Sequence, residues 1–164
     1  MRTRTLVALL SCIALLSLYV TPSASAASAE EEVMQVATNF VKAFNINDYK
    51  LFHSLYLQSP KTSKFIGGKS GAFLLQGWEA IGEQIKRALN PEYPQETFYV
   101  KLHNPEVNML ADNAAFITGY LTLTINPPAE KEQIIGQSRI TLVVQKVGGK
   151  WYIAHEHTSA FPTE

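Results

Sequence analysis

The strongest constraint on this fold lies in the second half of the chain, where side-chain character alternates over unusually long stretches. Between Ala114 and Ile125, Phe116, Thr118, Tyr120 and Thr122 alternate with Ile117, Gly119, Leu121 and Leu123. A period of two sends successive side chains to opposite faces of a strand. Before it, Phe98, Val100 and Leu102 alternate with Tyr99, Lys101 and His103; after it, Ile134 to Lys146 reads as another long strand. Asn126-Pro127-Pro128 marks one connection, and Gly148-Gly149 marks a tight hairpin into a last strand from Trp151 to Ser159. Long strands joined this way form an antiparallel meander.

The first half has helical periodicity instead. From residue 29 to 46, Val33, Val36, Ala37, Phe40, Val41 and Phe44 recur at the spacing of one helix face. Ser28 and Glu31 have the spacing of a capping box, and Glu30 to Glu32 suit the positive start of a helix. Asn45-Ile46-Asn47-Asp48 breaks that helix, and Asp48 reads as the N-cap of a shorter one with Tyr49, Phe52, Leu55 and Tyr56 turned inward. Pro60 ends it. Lys64 to Gly68 reads as a short strand into a turn, and Gly77 opens a helix to about Leu89 with Trp78, Ile81, Ile85 and Leu89 on one face. Helices followed by a strand meander predict an α+β domain, with a curved antiparallel sheet packed against N-terminal helices.

Residues 1–26 read as a cleaved signal peptide: Arg2 and Arg4, an apolar run from Leu6 to Val20, then Ala24-Ser25-Ala26 as the cleavage site. The run is shorter than the about 20 residues of a spanning helix, so a membrane anchor is not expected. Leu9-Leu10-Ser11-Cys12 resembles a lipobox, but Leu10 is bulky and the apolar run continues beyond it. The protein is thus expected to be exported, to the periplasm or the extracellular space, with residues 27–164 as one domain. Cys12 is the only cysteine, so that domain has no disulfide and no thiol chemistry. Without the leader, 12 basic residues stand against 14 acidic ones, with no basic block for a phosphate backbone. Nucleic acid is not an expected partner.

Three stretches carry a family resemblance: the first helix with Asn47-Asp48 and the Tyr49–Tyr56 helix; Gly77-Trp78-Glu79-Ala80-Ile81 at a helix start; and Arg139-Ile140-Thr141-Leu142-Val143 leading through Gly148-Gly149-Lys150-Trp151-Tyr152-Ile153 to His155-Glu156-His157-Thr158-Ser159. Together they resemble the SnoaL-like branch of the nuclear-transport-factor-2-like superfamily, near the calcium/calmodulin-dependent kinase II association-domain group. The resemblance implies a cone, a bent sheet wrapped round a long helix with a pocket at its open end. It also implies homodimers or larger homo-oligomers, and functions spread over isomerases, cyclases, dehydratases, binding proteins and assembly domains. Many catalytic members carry an acidic residue just after the second helix, where this chain has Gln58-Ser59-Pro60.

Strict alternation along the last strand puts Trp151, Ile153, His155, His157 and Ser159 on one face, with Tyr152, Ala154, Glu156 and Thr158 on the other. Since Trp151 and Ile153 are core-sized, His155 and His157 are expected to continue that inner face towards the pocket. There an imidazole can bind a ligand, move a proton near neutral pH, or simply hydrogen-bond a neighbouring strand. Without a third ligand the pair makes a poor zinc site, although Glu79, Asp48 and His53 are conceivable; no metal or cofactor is expected. Arg139 is a carboxylate or phosphate anchor if it faces inward, and a partner of Glu156 or of a neighbouring subunit if it faces outward. Tyr120, Thr118, Tyr99 and His103 supply further polar groups, and Trp78 belongs to the core or the pocket wall.

Nucleophilic-serine and phosphate-loop chemistry are excluded. No G-x-S-x-G elbow occurs, and Gly67-Gly68-Lys69-Ser70 lacks the upstream glycine and the following helix. Three readings remain. The first is an exported, self-associating domain that binds a small molecule in a polar-tipped apolar pocket lined by Trp78, Tyr99, Tyr120, Arg139, His155 and His157. The second is an isomerase, cyclase or dehydratase with His155 or His157 as base and Tyr120 or Arg139 stabilising an oxyanion. The third is a pure oligomerisation module.

Overall fold

A computed structural model describes residues 27–68, 71–89, 98–125 and 134–161. The leader, its cleavage site, Cys12 and the Asn126-Pro127-Pro128 connection lie outside the described residues. Three helices, α1 (Ala29–Asn45), α2 (Tyr49–Leu55) and α3 (Trp78–Ala88), pack on one side of six strands: β1 (Ser63–Gly68), β2 (Gly71–Gln76), β3 (Phe98–Ala111), β4 (Ala114–Ile125), β5 (Ile134–Val147) and β6 (Lys150–Ala160). Among the described residues, no helix is long and apolar enough to cross a membrane.

Local chemistry starts and stops the helices as expected. Ser28 and Glu31 close a reciprocal capping box, the Glu31 amide donating to Ser28 Oγ and the Ser28 amide to Glu31 Oε2. Asp48 Oδ1 accepts from the Leu51 amide and caps α2. The apolar face of α1 buries Val33, Val36, Ala37, Phe40 and Ala43 against the sheet. Polar clips hold both ends of α1. Glu32 accepts from Lys146 Nζ at 2.6 Å and Trp151 Nε1 at 3.0 Å, while Asn45 makes two hydrogen bonds to the Val100 backbone.

The strands lie in the order β2-β1-β6-β5-β4-β3. β3 to β6 form the antiparallel meander, closed by Gly148 and Gly149 at φ 58° and 82°, positive values that a tight hairpin turn of this kind demands. β1 instead runs parallel to β6. β2 is a strand that periodicity did not reveal, because Ala72-Phe73-Leu74-Leu75 is an unbroken apolar run without alternation. Two register irregularities between β3 and β4, one between β4 and β5, and one between β5 and β6 accompany the curvature of this open sheet. Its inner face carries Ala115, Ile117, Ile140, Leu142, Val144, Trp151 and Ile153, all buried under the helices.

Candidate functional site

One irregularity decides which residues face the interior. Along β6, Ile153 pairs with Val144 but His155 pairs with Val143, so Ala154 is an extra residue, a β-bulge. Beyond a one-residue bulge every side chain changes face. Trp151 and Ile153 point inward as expected. After Ala154 it is Glu156 and Thr158 that continue inward, and His155 and His157 turn to the side away from the helices. The expectation that both histidines share the face of Trp151 and Ile153 is therefore corrected, as is the placement of Glu156 on the opposite side.

The bulge creates a charged cluster inside an apolar core. In the parallel register Lys64 lies beside Glu156, and its Nζ stands 3.0 Å from Glu156 Oε2. The Tyr56 hydroxyl donates to the same oxygen, and the Thr158 hydroxyl donates to Oε1 at 3.2 Å. Tyr56, Lys64 and Glu156 are all at most 7 % exposed. Tyr56 reaches the cluster because the chain leaves α2 in extended form and bridges to β6, with the Leu57 amide donating to the Ile153 carbonyl. Burial first, then the charge of Glu156 and the hydrogen bond to it, push the Tyr56 phenol well above its ordinary pKa of 10.0. It stays a neutral donor.

Aromatic rings connect this cluster to the surface. Tyr56 stacks on Phe52 with centroids 5.5 Å apart, and Lys64 Nζ lies 5.9 Å from the Phe52 centroid. Trp78, half-buried, packs against Tyr56 at 5.6 Å and takes the edge of His53 at 4.7 Å. His53 Nδ1 in turn lies 3.2 Å from Gln58 Nε2. Trp78 is also one wall of a groove of about 470 Å³, bordered by Gln58, Ser59, Pro60, Gln76 and Glu79. Gly77 makes the corner, at φ 84°, and its amide donates to the Thr62 carbonyl.

The other sequence-named residues gather on the bare face of the sheet. Tyr120 sits opposite Arg139 in the β4–β5 ladder; Tyr120 stacks on Phe161, and the Arg139 guanidinium lies 4.4 Å from that ring's centroid. Both line a second groove of about 320 Å³ with Asn104, Glu106, Thr118 and Thr141. His155 Nδ1 lies 2.7 Å from Ser63 Oγ, and the exposed His157 meets the edge of Phe65. Burial, then its neighbour His157, lower the pKa of His155 below its ordinary 6.5. Tyr99 is exposed further along, paired with Thr124, and His103 Nε2 lies 2.9 Å from Thr122 Oγ1. Of the six pocket residues named from sequence, only Trp78 stands on the helix side. Among the described residues no three His, Cys, Asp or Glu side chains are grouped to hold a metal.

Sequence reasoning had Tyr56 turned inward but missed Lys64 and Glu156 as a pair. Their signal is faint: a lysine just before Phe65-Ile66, and a glutamate that sits between His155 and His157 and so looks like one more polar residue of that strand.

Residues 33–164 match the SnoaL-like domain family, and the chain belongs to it. Solved structures share the fold. A protein from Xanthomonas campestris, provisionally named as a calcium/calmodulin-dependent protein kinase II association domain, superposes with a TM-score of 0.64 at 22% identity, covering 85% of this chain and 93% of that one. A nuclear-transport-factor-2-like protein of unknown function from Pseudomonas putida gives 0.66 at 20%, covering 83% and 88%. One from Streptomyces avermitilis, provisionally named a dehydratase of the same family, gives 0.66 at 17%, covering 81% and 96%. No curated protein matches the sequence.

Proposed function

We propose that this chain is an exported domain that binds a small, partly apolar molecule on the helix side of its sheet and associates with its own copies through the bare face. One observation carries the binding reading: Trp78 stands between an open groove of about 470 Å³ and the buried Tyr56–Glu156–Lys64 network. The indole offers an apolar wall, and Gln58, Ser59, Gln76 and Glu79 offer a few polar groups for orientation, the usual composition of a small-molecule site. Glu156 already accepts from three donors, so it orders Tyr56 rather than standing free as a base. No reaction is assigned.

The isomerase or dehydratase reading draws on the provisional name of the Streptomyces relative. With His155 or His157 as base, it requires a substrate on the bare face beside Ser63 and Phe65. Self-association draws on the exposed Tyr120, Phe161 and Arg139 cluster on that face and on the provisional name of the Xanthomonas relative. Export rests on the leader sequence alone.

Native mass spectrometry of the protein purified from its own host tests this reading. The expected result is an oligomer carrying extra mass that denaturation releases, with that mass lost in Trp78→Ala. A ligand-free oligomer would overturn the binding reading in favour of an assembly module. A monomer would overturn the association.

A further inference from the structure

The two edges of the sheet are built in contrasting ways. β3, at one end, carries Lys101, His103, Pro105 and Glu106, and its ladder is interrupted twice, with Asn104 at φ 48°. Charges, proline and bulges are the usual devices that stop a foreign strand from docking on an edge. β2, at the other end, reads Gly71-Ala72-Phe73-Leu74-Leu75-Gln76, with no charge, no proline and an unbroken six-residue register against β1. Phe73 and Leu74 are 48% and 58% exposed. Among the described residues no strand pairs with its free side. An apolar edge left this way adds strands unless something covers it.

We propose that the β2 edge is an interface, covered by β2 of a second copy in antiparallel register about a two-fold axis at Leu74. Antiparallel strands in one sheet place directly opposed side chains on the same face. Centred on Leu74, the pairing sets Leu74 against its own mate on the bare face and Phe73 against the mate's Leu75 on the helix face. Both pairs are apolar, and the contact is self-complementary, as a two-fold interface must be.

Charge complementarity selects a second copy as the occupant. The axis leaves both α3 helices on the same side of the joined sheet, running antiparallel. Glu79 and Glu83 stand in the first half of α3, and Lys86 and Arg87 in its last turn. The acidic half of one helix then lies towards the basic end of the other. Between β2 and α3 runs a groove of about 560 Å³ lined by Leu75, Ala80, Glu83, Gln84, Arg87 and Ala88. Gln84 Oε1 there is shielded from water and accepts no hydrogen bond, alone in this among the described side chains. A buried acceptor without a donor is costly, which makes the α3 side of this groove the least satisfied part of the described surface. The edge is a different contact from the bare face, so it goes beyond the association proposed above.

Cross-linking tests it. In the full-length chain expressed in its own host, Cys12→Ser leaves Leu74→Cys as the only thiol. Opposed residues of an antiparallel pair bring their Cβ atoms within disulfide reach. Mild oxidation is expected to convert most of the protein to a disulfide-linked dimer, and adding Phe73→Lys is expected to reduce that yield at least about tenfold by putting two like charges into the joint. Tyr120→Cys, in the same background, reports the bare face independently. Cross-linking by Tyr120→Cys but not Leu74→Cys would overturn the edge contact while leaving the face contact standing. A Leu74→Cys protein that stays monomeric by native mass spectrometry, or that cross-links to a different polypeptide, would also overturn it.

Discussion

The two faces of this sheet divide the chemistry between them. The covered face is apolar apart from one hydrogen-bonded charged cluster, Tyr56, Lys64, Glu156 and Thr158. The bare face carries the residues that look most chemical in the sequence, Tyr120, Arg139, His155 and His157, in half-exposed contacts with Phe161, Ser63 and Phe65. A carboxylate under the helices survives only when its charge and lone pairs are matched. Water does that work on the other side. Residue type alone therefore does not tell which polar groups lie under the helices; the partners that each of them finds do.

Substitutions sharpen the contrast. Glu156→Gln leaves the Lys64 ammonium buried without its counter-charge, and loss of about 3–5 kcal/mol is expected in urea unfolding, as for other broken buried pairs. A loss below about 1 kcal/mol would mean that water reaches the cluster. Deleting Ala154 removes the extra residue while leaving Ile153 and Glu156 inward in an unbroken alternation. The protein should stay folded, with loss within the about 1–3 kcal/mol of an ordinary mutation. If β6 had no bulge, Glu156 and Thr158 would face outward in the parent chain, the deletion would swing them inward and His155 and His157 outward, and the chain would not fold, a difference that near-ultraviolet circular dichroism reads directly.

On the bare face the effects are smaller. The pKa of His155 is lowered in the folded state, so the fold favours its neutral form. That contribution is present above its unfolded value near 6.5 and is lost as pH falls through the folded value. Melting temperature should decline on acidification below about pH 6.5, and less steeply in His155→Gln; equal slopes would remove His155 from the pH response. Tyr120→Ala should change the stability of the isolated protomer by no more than about 0.5 kcal/mol, the range for exposed sites.

Much of the fold is legible in sequence because its signals are local. Ser28, Glu31 and Asp48 cap the helices they were expected to cap, and the period of two along β4 and β5 places Ile117, Ile140, Leu142 and Val144 inward. β2 was illegible because an apolar run without alternation does not announce a strand. The bulge was illegible for a deeper reason. Nothing in Ile153-Ala154-His155 differs from regular strand; the extra residue exists only relative to Val143 and Val144 on the neighbouring strand. From there the error propagates, turning two histidines inward and the glutamate outward. The Lys64–Glu156 pair further requires a parallel pairing between strands separated by most of the chain.

The measurement that tests this account most directly is a double-mutant cycle on Lys64 and Glu156, using Lys64→Met, Glu156→Gln and the two combined, with stabilities from urea unfolding. A buried, hydrogen-bonded pair predicts strong coupling, about 2 kcal/mol or more, with the double variant more stable than the sum of single losses allows. Additivity within about 0.5 kcal/mol would mean that the two side chains do not meet, and that β6 does not carry the bulge that brings Glu156 inside.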